Sequence, residues 1–224
     1  MLHILRGPHV PEVFEKAAER VKELKPSVVF LEVPDDKGVR ETLAQVILGD
    51  IQPALALFGE NAEKYRPLLL AARHVSAEIV PIDDPQAHEE THDKSMLLEH
   101  FLQTELPAEK KAGILLELVR ARVRLQTKRE KHMQKIVQER FEQVKRLQPK
   151  AIGVVLVGTD HVLEFPNIPY KHEILMPRAG GGHPIVQAED LLRAGKNKSE
   201  VLEFLRKKVA AGELGPVKLD PHRN

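Results

Sequence analysis

The chain has 224 residues, 42% hydrophobic and 30% charged, with 34 Lys plus Arg against 33 Asp plus Glu. This is the composition of a globular protein with a core large enough to fold unaided, and it excludes a disordered, collagen-like or membrane-spanning chain. The absence of Cys removes disulfide frameworks, thiolate metal sites, iron–sulfur clusters and Cys nucleophiles, and a formal net charge of +1 gives no global reason to expect nucleic acid or an anionic membrane.

Taken in chain order, MLHILRGPHVPE lacks the basic-then-apolar order of a signal peptide, and the apolar-plus-Gly run from Ala151 to Gly158 is far short of the ~20 residues of a spanning helix, so a cytoplasmic protein with no membrane segment is expected. Met1 to Leu5 reads as a strand ending in Arg6-Gly7-Pro8-His9, and Pro11 opens a helix with Val13, Phe14, Ala17, Ala18, Val21 and Leu24 at three- and four-residue spacing. Pro26 stops it, and Ser27 to Val33 is a nearly continuous β-branched and apolar run containing Glu32, as in a parallel strand covered on both faces. From Asp36 to about His74 the pattern predicts three short helices punctuated by Gly49, Pro53, Gly59 and Pro67, followed by a third strand at Ala77 to Asp83.

A polar segment after Pro85 leads into helical spacing at Met96, Leu97, Leu98, Phe101 and Leu102. Ala108 to Leu147 reads as helix, ~60 Å if unbroken, and the Thr127-Lys128-Arg129-Glu130 capping-box pattern predicts a break near Gln126 with a new start at Lys128. Ala151 to Val157 is the strongest strand signal, central in the sheet, and ends in Gly158-Thr159-Asp160-His161. A weaker strand at His172 to Met176 precedes a Gly180-Gly181-Gly182 joint, two helices at Ala188 to Ala194 and Ser199 to Ala211, and an extended tail. The expected fold is α/β: a mostly parallel sheet of about four to five strands flanked by helices over residues 1–178, with a small helical C-terminal extension over 179–224.

Three strands thus end in a group able to bind a metal or move a proton: His9, Glu32 and His161. Ligand crevices of open α/β sheets lie at the carboxyl ends of the strands. Two imidazoles and a carboxylate suit a catalytic divalent metal such as zinc or manganese, which would lower the pKa of a bound water and polarise a carbonyl. Gly7 and Gly158 would allow close backbone approach to a ligand. The alternative is that the two His are loop residues and Glu32 a solvated strand end.

The order of these stretches, RGPHV at 6–10, KPSVVFLEV at 25–33, AEIVPID at 77–83, KREKHM at 128–133 and VVLVGTDHV at 154–162, resembles the TraB/PrgY family and its relatives in the Tiki, erythromycin-esterase and ChaN superfamily, over roughly residues 2–165. The resemblance implies an α/β fold in which His9, His161, Glu32 and Arg129 share one pocket, and metal-dependent peptide hydrolysis or ester hydrolysis with a His base on a peptide or small-molecule substrate. His9, His161 and Glu32 would then be ligands of Mn, Co or Zn, or a proton-transfer set, and Arg129 an anion-holding group. The chain departs from the pattern at Arg6, where the first GxxH motif has Gly. A non-catalytic module binding haem or a peptide in the same crevice is the alternative function.

Asp83 could orient a ligand His or serve as a turn residue, and Thr159 and Asp160 could simply shape their turn. His88-Glu89-Glu90-Thr91-His92 matches H-E-x-x-H, but its flanks are too polar to bury the back of a zinc-binding helix. Residues 108–147 hold twelve Lys and Arg against five acidic residues, yet Phe141 is their only aromatic, so a core stripe with a solvated basic back explains them better than nucleic acid. Gly180-Gly181-Gly182 lacks the strand-to-helix context and the Lys-Ser/Thr of a phosphate loop.

Overall fold

The computed structural model describes residues 1–177 and 182–214, which divide into two compact units. The first comprises Met1–Pro85 and Arg129–Arg178, the second Gln86–Lys128 and Ala179–Asn224.

The first unit is an α/β layer structure. Its five strands, β1 (Leu2–Arg6), β2 (Val28–Pro34), β3 (Glu78–Asp83), β4 (Gly153–Val157) and β5 (Tyr170–Ile174), form one all-parallel sheet in the order β3-β2-β4-β1-β5. The expected central position of the Ala151–Val157 run holds: β4 is buried throughout and lies between β2 and β1. The weaker run, β5, is an edge strand with a largely exposed pattern.

Helices cover one face of the sheet as α1 (Pro11–Leu24), α2 (Lys37–Leu48), α3 (Gln52–Leu57) and α4 (Ala62–His74), with a 3-10 turn at Gly59–Asn61. Pro11 opens α1 because its missing N–H is one of the unsatisfied donors of a helix start. Pro67, expected to punctuate, instead lies inside α4, where Tyr65, Leu68, Leu69, Ala71 and Ala72 hold the helix against the core. On that face Leu5, Val29, Leu31, Val154 and Leu156 meet Val13, Phe14, Ala17 and Leu69, while Ile4, Phe30 and Val155 on the opposite face meet Met133, Val137 and Phe141. This alternation is the period-two pleat of strands buried on both sides.

Two expectations are corrected. The break at Thr127 does not occur: α6 (Ala108–Leu147) is continuous over 40 residues, and the Thr127 hydroxyl donates to the Val123 carbonyl at 3.0 Å, a bond to the preceding turn and not a cap. Residues 108–128 belong to the second unit and 129–147 to the first, so one helix serves two cores. Correspondingly, residues 86–128 count with the C-terminal helices and not with the sheet. In that unit α5 (Pro85–Gln103) buries Leu98 and Leu102 and α6 buries Ala112, Leu115, Leu116 and Val119, in one cluster with Ile185, Ala188, Val201 and Leu205 of α7 (Pro184–Arg193) and α8 (Lys198–Ala210).

Asn197 caps α8 in a reciprocal capping box with Glu200. Gly180 and Gly181 of the expected Gly180-Gly181-Gly182 joint, and most of the tail, lie outside the described residues. Among the described residues no helix is long and apolar enough to cross a membrane.

Candidate functional site

Glu32 organises the site. It lies in β2 just beyond the last β2–β4 pair, Leu31 with Leu156, where the β2–β3 register also shifts between Leu31 and Pro34. Its side chain is 1% exposed, and both oxygens are engaged. Oε1 is 2.8 Å from His161 Nε2 and accepts from Arg129 Nη2 at 2.8 Å; Oε2 accepts from the Gly158 N–H at 2.7 Å and lies 3.5 Å from His9 Nε2. The four residues expected to meet, His9, Glu32, Arg129 and His161, therefore do so at the carboxyl edge of the sheet.

The two glycine-histidine motifs are built differently. Gly158 follows β4 and offers its N–H to Glu32, and the His161 N–H closes the turn onto the Gly158 carbonyl at 3.3 Å. A Cβ on Gly158 would meet Glu32 Oε2 at 3.5 Å and His161 Cδ2 at 3.6 Å, ordinary contacts. A Cβ on Gly7 would instead stand 2.7 Å from Val13 Cγ1, so Gly7 is required by the packing of α1 and not by close approach of a ligand. Gly7→Ala is expected to cost about 1–3 kcal/mol, because the β-branched Val13 cannot rotate away, and Gly158→Ala much less. Urea denaturation of the two variants side by side checks the order, and equal losses would refute it.

Arg129 is fully buried, with 0% exposure, and is not at a helix start. Nε and Nη2 donate to Asp83 Oδ1 and Oδ2 at 2.8 and 2.6 Å, and Nη2 also donates to Glu32. Its guanidinium is the fixed counter-ion of two buried carboxylates, which leaves it no freedom to clamp a substrate anion as the resemblance implied. Burial works against its charge, but the Asp83 and Glu32 contacts more than offset this and raise its pKa. Asp83, weighed from sequence as a His-orienting or turn residue, is the partner of Arg129.

Electrostatics follow from this arrangement. Burial pushes the Glu32 carboxyl up, but the charges and hydrogen bonds of His161 and His9 overcome it and hold the group well below the usual carboxylate range. Burial likewise opposes charge on His161; Glu32 and Glu130 prevail and raise it to about 9. His161 Nδ1 is 3.6 Å from Glu130 Oε1, so each ring nitrogen faces a carboxylate, as suits an imidazolium. Because this folded pKa lies above the unfolded 6.5, the stabilisation is complete below pH 6.5 and is lost as pH rises through 9. The depressed Glu32 acts oppositely, its contribution being present above pH 4.5 and lost on acidification. Unfolding free energy measured against pH should fall on the alkaline side by an amount on the order of 3 kcal/mol, and His161→Gln should flatten that limb. An alkaline limb unchanged by the substitution would place the titration elsewhere.

Several participants were not legible as such in the sequence. Glu130, next to Arg129 in the KREKHM stretch, accepts from the Val162 N–H at 3.1 Å as well as facing His161. Lys64 and Tyr65 come from α4: Lys64 Nζ donates to the His9 carbonyl at 3.3 Å, and Tyr65 is buried against Phe14 and Phe58, its hydroxyl held above its ordinary pKa by burial and then by the Glu32 charge. No motif marks either residue.

As arranged, His9, His161 and Glu32 do not fit a divalent metal. Both carboxylate oxygens are already occupied, one of them by a permanent cation, and both nitrogens of His161 face carboxylates. Among the described residues no group of three or more His, Asp or Glu is placed to hold an ion. The H-E-x-x-H stretch fares no better: the buried face of α5 is formed by Ala87, Thr91 and Ser95, while Glu89 and His92 are exposed and His88 is half-buried. No family model, no curated protein and no solved structure matches the chain.

Proposed function

We propose that the protein is a hydrolase of ester or peptide bonds, of the kind the TraB/PrgY resemblance implies, in which a histidine acts as general base without a metal. The observation that carries this reading is the Glu32 carboxylate, held in place by Arg129 and the Gly158 N–H and turned toward two imidazoles. His9 is the base. Its Nε2 faces Glu32 Oε2 at 3.5 Å, so in this reading Nδ1 is the nitrogen that takes a proton from water; such contacts commonly tighten when substrate binds. Water attacks the carbonyl carbon as its proton passes to His9, and the same proton then goes to the departing alkoxide or amine as the acyl bond breaks. His161, an imidazolium between Glu32 and Glu130, and Arg129 keep Glu32 ionised so that it can hold the His9 cation formed midway.

The test is a screen of chromogenic esters and short peptides in EDTA, repeated with Mn, Co or Zn added. Turnover in EDTA supports the histidine-base reading. Turnover that requires added metal would replace it with a metal-assisted one, and saturable peptide binding with no turnover would replace it with the binding module.

A further inference from the structure

The arginines of this chain are mostly paired with carboxylates: Arg129 with Asp83 and Glu32, Arg140 with Glu78, Arg122 with Glu189, Arg20 with Glu23 and Glu173. Arg6 is built differently. It ends β1, three residues before His9, and is half-buried. Its Nη2 donates to the Thr159 carbonyl at 2.5 Å, its Nε is buried with no acceptor, and it makes no ion pair among the described residues. A guanidinium has five N–H donors, and leaving one buried without an acceptor costs about 1–3 kcal/mol. A neutral carbonyl does not compensate the charge.

The surroundings tie this cation to the site. Thr159, whose carbonyl fixes the guanidinium, follows Gly158, whose N–H holds Glu32, in the turn that ends at His161. The charge is felt nearby: His172, which pairs with Ile4 on the adjacent strand, is lowered in pKa by burial and then by Arg6. Arg129, the arginine that touches Glu32, is consumed by Asp83 and Glu32 and has no capacity for an external anion.

We propose that Arg6 binds an oxyanionic group, a carboxylate or a phosphate, carried by the substrate beside its scissile bond. The inference rests on the hydrolase reading for the word substrate and on the Arg6 geometry for the anion. It gives a purpose to the residue at which the chain departs from the GxxH pattern. A planar guanidinium fixed at one nitrogen retains donors for a two-point grip on such a group.

The experiment follows the Arg6 Nε–H resonance of the full chain by nitrogen-15 correlation spectroscopy during titration with succinate and, separately, inorganic phosphate in low-chloride buffer. The resonance is assigned by its absence from Arg6→Lys, which keeps a cation at the position and guards against a misfolded Arg6→Met. A shift that saturates at millimolar anion in the wild type and in His9→Gln is expected, and the anion that saturates first identifies the carboxylate or the phosphate as the source. A shift that is absent, or that grows linearly without saturating, overturns the anion site. Turnover in the screen without a saturable Arg6 shift overturns this proposal alone. A saturable shift in a protein that hydrolyses nothing overturns the hydrolase reading and leaves the anion site standing.

Discussion

Arg129→Met is expected to lower the unfolding free energy by about 3–5 kcal/mol, the cost of leaving buried carboxylates without their cation. Two acids depend on this side chain: Asp83, gripped through both oxygens and 0% exposed, and Glu32, which shares Nη2. Arg129→Lys should recover little, because one ammonium cannot reproduce the planar fork that spans Asp83 while reaching Glu32. Adding Asp83→Asn to Arg129→Met should restore part of the loss, since it removes one of the unpaired charges; the coupling measures the ion pair more directly than either single change. Denaturant titration at pH 7 checks the series. A loss below about 1 kcal/mol would mean that water replaces the guanidinium at little cost, and the site would have to be regarded as open rather than sealed around Arg129.

His9→Gln is expected to lower kcat/KM on the best substrate of the screen by about 10²–10⁴-fold, the range associated with loss of a positioned general base. Stability should change little, because among the described residues the only ion-pair contact of the ring is the 3.5 Å approach to Glu32, and Glu32 keeps its shorter bonds to Gly158, Arg129 and His161. That separation makes His9 a cleaner probe than Glu32 or His161, where a loss of activity would be mixed with the removal of a buried charge. Retained activity in His9→Gln would transfer the base to another group and remove the main support for the proposed chemistry.

Much of the site was legible because the reading needed only strand ends. Residues 2–6, 28–34 and 153–157 are mainly apolar, interrupted only by His3, Arg6 and Glu32, and parallel strands joined by right-handed crossovers bring their carboxyl ends to one edge. His9, Glu32 and His161 follow from that alone, as does an α/β fold with a parallel sheet. The roles within the site were less accessible. Arg129 and Glu32 are 97 residues apart and Arg129 and Asp83 are 46 apart, and no local pattern states which carboxylate a given arginine will meet. The same limit hid Glu130 and Tyr65, ordinary residues of amphipathic helices until the helices are placed.

The capping-box pattern at Thr127 failed for a related reason. Ser, Thr and the acids cap only where the backbone has already left the helix, and whether it leaves is decided by what both halves bury. In α6 the stretch 112–119 has a core to enter in one unit and 133–141 in another, so the helical path continues through Thr127. By itself the sequence determined the period of each element, the burial of the strands and the position of three chemical groups at strand ends, because these follow from local alternation and from turn residues. The tertiary structure alone decided that β4 inserts between β1 and β2, that residues 86–128 join the C-terminal helices, and that Arg129 balances Asp83 and Glu32 while Arg6 has no carboxylate partner among the described residues, because strand order and charge pairing are set by long-range contacts.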